Sequence, residues 1–336
     1  MVNLQNQSRN GQDVIEDKIL LEVNGLKKYF HVGKNQILKA VDGIDFTVLQ
    51  GETLGIVGES GCGKSTTGNL LIHLLDKTEG TIIFNGLDMD KMTKEEMRKS
   101  RADIQMIFQD PYSSLNPRMR VKDIIAEPIK THTKLSKKEI NDEVNRLLDA
   151  VGLDRSYGIR YPHEFSGGQR QRIGIARAIA LRPKLVICDE PVSALDVSIQ
   201  AQILNLLMRL QKEFKLTFIF IAHGLPAVKY ISNRIAVMYL GRIVEITTKN
   251  ELFEKPMHPY TESLVSAVPL PDPTIRDKRE RIVLQDDIPS NLNIPTGCRF
   301  HSRCPYVQDI CKMKEPSLSE LEKGHQVACF FPRNLN

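Results

Sequence analysis

The sequence predicts an α/β fold, and three observations predict it. Short apolar runs alternate with segments of helical periodicity between about residues 50 and 250. The run Leu185, Val186, Ile187, Cys188 has no polar member, as expected of a strand buried on both faces of a parallel sheet. Another run, residues 53–57, leads directly into a glycine-rich loop that feeds a helical segment. The 336 residues exceed one average domain and suit a large domain with an appendage. A hydrophobic content of 41% suffices for a sizeable core.

Residues 1–18 are polar and read as a disordered segment. They lack the apolar stretch of a signal peptide, so the chain is expected to stay in the cytosol. No run approaches the ~18 apolar residues of a spanning helix, so any service to a membrane is expected to be peripheral. Strand patterns occupy residues 20–23, 37–48 and 53–57, and a helix is expected over 64–75. A strand at 104–108 leads into Gln109, and helical periodicity covers 121–151 and 166–180. Then come a strand at 185–188, a helix at 198–213, a strand at 216–222, a short helix, and strands near 234–240 and 242–246. After about residue 247 Pro256, Pro259, Pro269, Pro271 and Pro273 punctuate the chain, and residues 275–295 are charged and polar. We therefore place the α/β domain at 19–255 and a C-terminal extension at 256–336. The net charge of +5 comes with no dense Lys/Arg run and no interleaved aromatics, which argues against nucleic acid as a partner.

The loop Gly58-Glu59-Ser60-Gly61-Cys62-Gly63-Lys64-Ser65, followed by Thr66, matches a nucleotide phosphate loop, with a strand before it and a helix after it. Its glycines let backbone N–H groups turn onto phosphate oxygens, and the helix N-terminus adds its positive end. Lys64 is placed for the β- and γ-phosphates and Ser65 for Mg²⁺, while Cys62 reads as a bystander. The strand at 185–188 ends in Asp189 and Glu190. Behind a phosphate loop, the first carboxylate is expected to hold Mg²⁺ and the second to polarise the attacking water.

Ser166-Gly167-Gly168-Gln169 opens a helix with a capping serine and two glycines that expose backbone N–H groups. This is a second phosphate-binding surface in one chain. Two chains arranged head to tail need two such surfaces for each nucleotide; one chain does not. With this string the sequence resembles the ABC ATPases, whose signature loop it matches. The other family motifs fall in order. Gln109 resembles the Q-loop glutamine and a further Mg²⁺ contact, Ser193 to Asp196 the D-loop, and His223 the switch histidine. Phe30, with Tyr29 as second choice, resembles the aromatic that stacks on adenine. Where the family has Asp after the switch histidine, this chain has Gly224, which bears on the stiffness of that loop. Asp110 to Arg118, Tyr161 to Phe165, Val192 to Gln200 and His258 to Thr261 narrow the likeness to the oligopeptide/dipeptide permease ATPases, and in particular to their F-type subunits.

That resemblance implies a P-loop NTPase cassette with an antiparallel β subdomain and a helical signature subdomain at about 110–180. It implies ATP and Mg²⁺ as ligands, hydrolysis coupled to peptide uptake, and a peripheral place on the cytoplasmic face of the membrane. The implied partners are a paralogous ATPase in a heterodimer, two membrane-spanning permeases and an extracytoplasmic peptide-binding protein. Import of nickel or another small solute is an alternative within the subfamily. A non-transport ABC ATPase is a second, though residues 110–165 leave no room for the long coiled-coil insertion of such proteins. A metal-binding module with a degenerate cassette is a third, which the intact Lys64, Asp189, Glu190 and His223 oppose.

Cys298, Cys304, Cys311 and Cys329 crowd into the end of the chain. Their spacing lacks the C-x2-C pairs of zinc ribbons and matches no common ferredoxin pattern, leaving zinc, an iron–sulfur cluster and free thiols open. His301 and His325 are available as substitute ligands in a zinc site. The resemblance tilts the choice, since peptide-permease ATPases carry a similar four-Cys arrangement that looks like a [4Fe–4S] site. On this reading the group is a structural staple. Replacing Cys304 by Ser is then expected to strip the metal and leave ATP binding intact.

Overall fold

The computed structural model describes residues 18–33, 36–110, 112–268, 282, 284 and 289–335. Of the segment expected to be disordered, only Lys18 lies among them. The strands are β1 (Ile19–Val32), β2 (Gln36–Leu49), β3 (Thr53–Val57), β4 (Glu79–Phe84), β5 (Leu87–Asp88), β6 (Ile104–Ile107), β7 (Leu185–Asp189), β8 (Thr217–Ala222), β9 (Arg234–Tyr239), β10 (Arg242–Thr248), β11 (Ser319–Glu322) and β12 (His325–Val327). The helices used below are α1 (Lys64–Leu71), α2 (Lys94–Asp103), α3 (Val121–His132), α4 (Lys137–Ala150), α5 (Gly167–Ile179), α6 (Val197–Phe214), α7 (Leu225–Ile231), α8 (Lys249–Glu254) and α9 (Pro259–Ser266).

The strands form two sheets. One has four antiparallel strands in the order β2-β1-β4-β5, and the other eight in the order β11-β12-β10-β9-β3-β8-β7-β6. Within the larger sheet β9, β3, β8, β7 and β6 run parallel. Their side chains alternate between two cores. Val186, Cys188, Phe218 and Phe220 join the cluster built with α3 to α7, whereas Leu185, Ile187, Ile219 and Ile221 join the one shared with α1 and the smaller sheet. Burial on both faces is why these strands read as continuous apolar runs. The arrangement is three layers: helices, parallel sheet, and antiparallel sheet with α1.

Helix ends obey local chemistry. Thr93, Ser136 and Ser166 each close a capping box with the residue three positions on, opening α2, α4 and α5. Helix α1 stops at Leu71, short of the expected residue 75, because His73 takes a left-handed φ of 54° and the Leu74 and Leu75 N–H groups turn back to the Asn69 carbonyl. After β10 the chain returns to the cassette, where β12 pairs with β10 and β11 with β12. Tyr260 and Phe300 are buried in the core cluster of the helical face. Among the described residues no helix is long and apolar enough to cross a membrane.

Candidate nucleotide-binding site

The predicted phosphate loop leaves β3 and enters α1. Two of its glycines are required by their surroundings. A Cβ on Gly58 (φ +155°) would lie 2.1 Å from the Met238 carbonyl oxygen, and one on Gly63 (φ +105°) would lie 2.2 Å from that of Ala40. The Lys64 ammonium is buried and donates to the carbonyl oxygens of Gly58 (2.8 Å) and Glu59 (3.1 Å). Cys62 is tucked under the loop. Burial pushes its thiol up, and its carbonyl accepts from the Gly241 N–H at 2.9 Å.

Register brings the other residues to the same edge. Val57 pairs with Ala222, Ile221 with Asp189, and Cys188 with Ile107. The loop, His223, the Asp189–Glu190 pair and Gln109 therefore all leave the carboxyl ends of neighbouring parallel strands, where ligands bind in open α/β sheets. The Ser65 hydroxyl donates to Asp189 Oδ1 at 2.9 Å, and Gln109 Nε2 donates to Glu190 Oε2 at 2.9 Å. Burial, with the Glu190 charge adding, pushes the Asp189 carboxyl up against the opposing pull of Ser65 and Lys64. Glu190 holds a left-handed φ of 45°, uncommon for a non-glycine residue. Its N–H donates to the Ile221 carbonyl at 2.9 Å, and its own carbonyl accepts from the Ser193 hydroxyl at 3.0 Å. Backbone strain of this kind collects at functional sites. His223 stands exposed beyond β8. Gly224 caps α7 with φ −119°, a conformation open to any residue.

Phe30, Lys64, Ser65, Thr66, Gln109 and Glu190 are among the residues lining one cavity of about 710 Å³. Of the two candidate aromatics, Phe30 faces this cavity, whereas Tyr29 turns its hydroxyl to donate to Asp42. Burial and that carboxylate push the Tyr29 phenol up to about 12.

Ser166 to Gln169 do not line this cavity. The Ser166 hydroxyl accepts from the Gln169 N–H (3.4 Å) and Gln169 Oε1 accepts from the Ser166 N–H (3.0 Å). A Cβ on Gly168 would lie 2.6 Å from the Ile199 side chain, so α5 packs closely on the first turn of α6, whose N-cap position is Asp196 with no side-chain cap bond. Ser166, Gly167 and Asp196 are exposed.

None of the four C-terminal cysteines is paired in a disulfide. Burial pushes Cys298 up to about 11 and Cys329 to about 12. Among the described residues no three of these sulfurs lie within 4.8 Å of one another. The two candidate substitute ligands are engaged elsewhere. His301 Nδ1 lies 2.8 Å from the Cys298 carbonyl oxygen, and His325 Nε2 lies 2.7 Å from Glu245 Oε1.

Sequence reasoning missed three residues that touch the phosphate loop from the C-terminal segment. Arg303 pairs with Glu59 through both guanidinium nitrogens (2.8 and 3.0 Å), the Tyr260 hydroxyl accepts from the Glu59 N–H (2.9 Å), and Asn291 Nδ2 donates to the Gly61 carbonyl (2.6 Å). No periodicity or spacing signals these long-range contacts.

Comparison with known proteins agrees with this geometry. The model of the ABC transporter family matches residues 41–193, and that of the oligopeptide/dipeptide transporter C-terminal region matches residues 244–311. The oligopeptide transport ATP-binding protein AppF of Bacillus subtilis is 53% identical over 317 residues, spanning 92% of this chain and 96% of that protein. The oligopeptide transport ATP-binding protein OppF of Salmonella typhimurium is 52% identical over 326 residues, spanning 94% and 97%. Among solved structures, the ATP-binding cassette MJ0796, a dimer in a post-hydrolysis state with ADP and Pi, superposes with a TM-score of 0.62 at 26% identity, covering 68% of this chain and 98% of that one. With its phosphate loop, acidic pair and signature helix on the cassette fold, and with relatives half identical along nearly their whole length, the chain belongs to the ABC transporter ATP-binding proteins, in their oligopeptide/dipeptide branch.

Proposed function

We propose that this chain is the ATP-hydrolysing subunit of an importer of oligopeptides or dipeptides. The observation that carries this reading is the convergence of Lys64, Ser65, Gln109, Asp189 and Glu190 on one sheet edge, in a chain half identical to proteins named for oligopeptide transport. Lys64 and the N–H groups of residues 58–66 bind the phosphates of ATP, and Phe30 stacks on the adenine. Ser65, Gln109 and Asp189 would hold Mg²⁺, which when bound neutralises phosphate charge. Glu190 orients the attacking water and takes its proton, and His223 contacts the γ-phosphate.

Ser166, Gly167, Gly168, Gln169 and Asp196 serve the nucleotide of a partner cassette, in a heterodimer with a paralogous ATPase. Their exposure supports this, as does Val197, which is 82% exposed beside Asp196 on a face with no other apparent role. The pair sits on the cytoplasmic face of two permeases fed by an extracytoplasmic peptide-binding protein. Residues 19–255 form the ATPase, with the helical subdomain at 110–180 as its signature-bearing part, and 256–336 the extension. Cys298, Cys304, Cys311 and Cys329 hold a metal group, a [4Fe–4S] cluster rather than the alternative Zn²⁺. A single tetrahedral zinc with ~2.3 Å bonds needs its sulfurs within roughly 3.8 Å of one another, closer than any three of these lie, whereas a cluster spreads its ligands.

The test is Mg²⁺-ATPase activity of the wild type and of Glu190→Gln, assembled with the membrane subunits and a peptide-loaded binding protein. Peptide should stimulate the wild type, and the variant should bind ATP without turning it over. Stimulation by nickel or another solute instead of peptide would keep the ATPase and sink the substrate assignment.

A further inference from the structure

We infer that Arg303 is a positioning residue of the phosphate loop and that, through it, the state of the four cysteines reaches the nucleotide. The loop carries its own electrostatic problem: Glu59 is an anion within a turn that must accept a polyphosphate. The structure answers it with a bidentate ion pair. Arg303 Nη1 lies 2.8 Å from Glu59 Oε2 and Nη2 lies 3.0 Å from Oε1, with the Arg303 side chain only 7% exposed. Fork-to-fork pairing of this kind fixes direction as well as charge. It draws the carboxylate to the C-terminal segment and neutralises it. Tyr260 holds the Glu59 N–H and Asn291 holds the Gly61 carbonyl, so the outer turn is gripped at both ends. The same turn offers the Gly58 and Glu59 carbonyls on which the Lys64 ammonium rests.

Arg303 is itself placed by the turn between two cysteines. Its N–H donates to the Phe300 carbonyl at 3.0 Å, and the His301 N–H donates to that of Cys298 at 3.0 Å. Phe300 packs against Tyr239 and Tyr260 with ring centroids 5.3 and 5.5 Å apart. A group that ties Cys298 to Cys304 therefore fixes the turn that aims the guanidinium. This second half of the inference rests on the reading of the cysteines as metal ligands. Linkage makes the coupling reciprocal: what loading of the thiols does for ATP affinity, ATP does for retention of the metal.

The experiment measures binding of a fluorescent ATP analogue to the purified full chain, alongside metal content and the melting temperature without nucleotide. Arg303→Gln should weaken ATP binding about tenfold with metal content and melting temperature unchanged. Adding Glu59→Gln should restore most of the affinity, since no carboxylate is left to restrain. Unchanged affinity in the single variant, or no recovery in the double, overturns the positioning role. Stripping the metal from the wild type with a chelator should weaken ATP binding by a similar factor, and should do nothing further to Arg303→Gln. A metal-bearing wild type whose ATP affinity ignores stripping overturns the coupling alone. A chain isolated without metal overturns the coupling together with the metal reading, and leaves the Arg303 comparison standing.

Discussion

The carboxyl edge of the parallel sheet and the C-terminal segment both build the phosphate site, but they reach it differently. On the sheet edge each residue sits one or two positions beyond the end of its strand: Gly58 after β3, Gln109 after β6, Glu190 after β7, His223 after β8. In the C-terminal segment Arg303 lies 244 positions from the Glu59 it holds, and Asn291 lies 230 from Gly61. The first set is addressed by strand order, which survives in the linear sequence. The second is addressed by packing, which does not. On the function proposed above, chemistry resides in the first set, and on the further inference the second sets how firmly the loop is held.

The sharpest way to break this comparison is to remove one residue from each set. Glu190→Gln deletes a proton acceptor and leaves the phosphate loop intact. Hydrolysis should fall by about 10² to 10⁴, the range for a lost general base, with ATP binding and melting temperature retained. Cys304→Ser should do the reverse: lower the metal content and the melting temperature, and weaken ATP binding in proportion to the freed Arg303. Sequence alone led to the expectation that ATP binding would survive this change. The inference drawn from the pairing of the adjacent Arg303 with Glu59 predicts the opposite. Equal loss of turnover in both variants, with equal loss of ATP binding, would mean the two regions cannot be separated.

The same division explains what was legible. Strand β3 and the starts of α1 and α5 fell where the sequence put them, because a buried apolar run, a glycine loop and a capping serine are local signals. Helix α2 escaped notice because only Ser100 of its ten residues is buried, so it carries no apolar period. Its one signal was the capping box of Thr93 and Glu96. Strand β12 has three residues and reaches the sheet through the pairing of Glu245 with Val327, and β11 then pairs to it, information that lies in neither segment. The composition change near residue 250 was real, yet it marks a change in how the chain packs more than an end to the sheet.

A smaller effect separates the regions by pH. His258 is buried at the start of α9, and its Nδ1 accepts from the Tyr260 N–H at 3.1 Å. Burial pushes the imidazole from 6.5 down to about 4, against the opposing pull of Glu245. Between those values the unfolded chain binds a proton that the folded chain refuses, so stability falls as pH drops through this window. The loss is on the order of 3 kcal/mol at its acid end. His258→Asn keeps an acceptor for the helix cap and cannot titrate, so its denaturation midpoint should fall less from pH 6.5 to 4 than that of the wild type. Parallel curves would show that the buried histidine takes up its proton in the fold.

The smallest effects compare three capping boxes that share one geometry. Those opening α2 and α4 place a carboxylate at the third position, Glu96 and Glu139, and hydrogen bonds with Thr93 and Ser136 hold both carboxyls below the usual range. Their helix N-termini are thus already met by an anion. The box opening α5 places the neutral Gln169 there instead, behind two glycines. It satisfies the same backbone N–H and leaves the positive end of the helix for an outside anion, as a signature loop facing a partner's phosphate requires. Ser136→Ala and Ser166→Ala should therefore each cost about 1 kcal/mol of stability, the worth of a cap, while only the latter lowers ATPase activity of the assembled transporter. Gln169→Glu isolates the charge. It keeps the box, so the melting temperature should hold or rise slightly, yet turnover should drop because the added negative charge cancels the positive end of the helix and repels a phosphate. An active Gln169→Glu chain would mean that this helix start serves only its own cap.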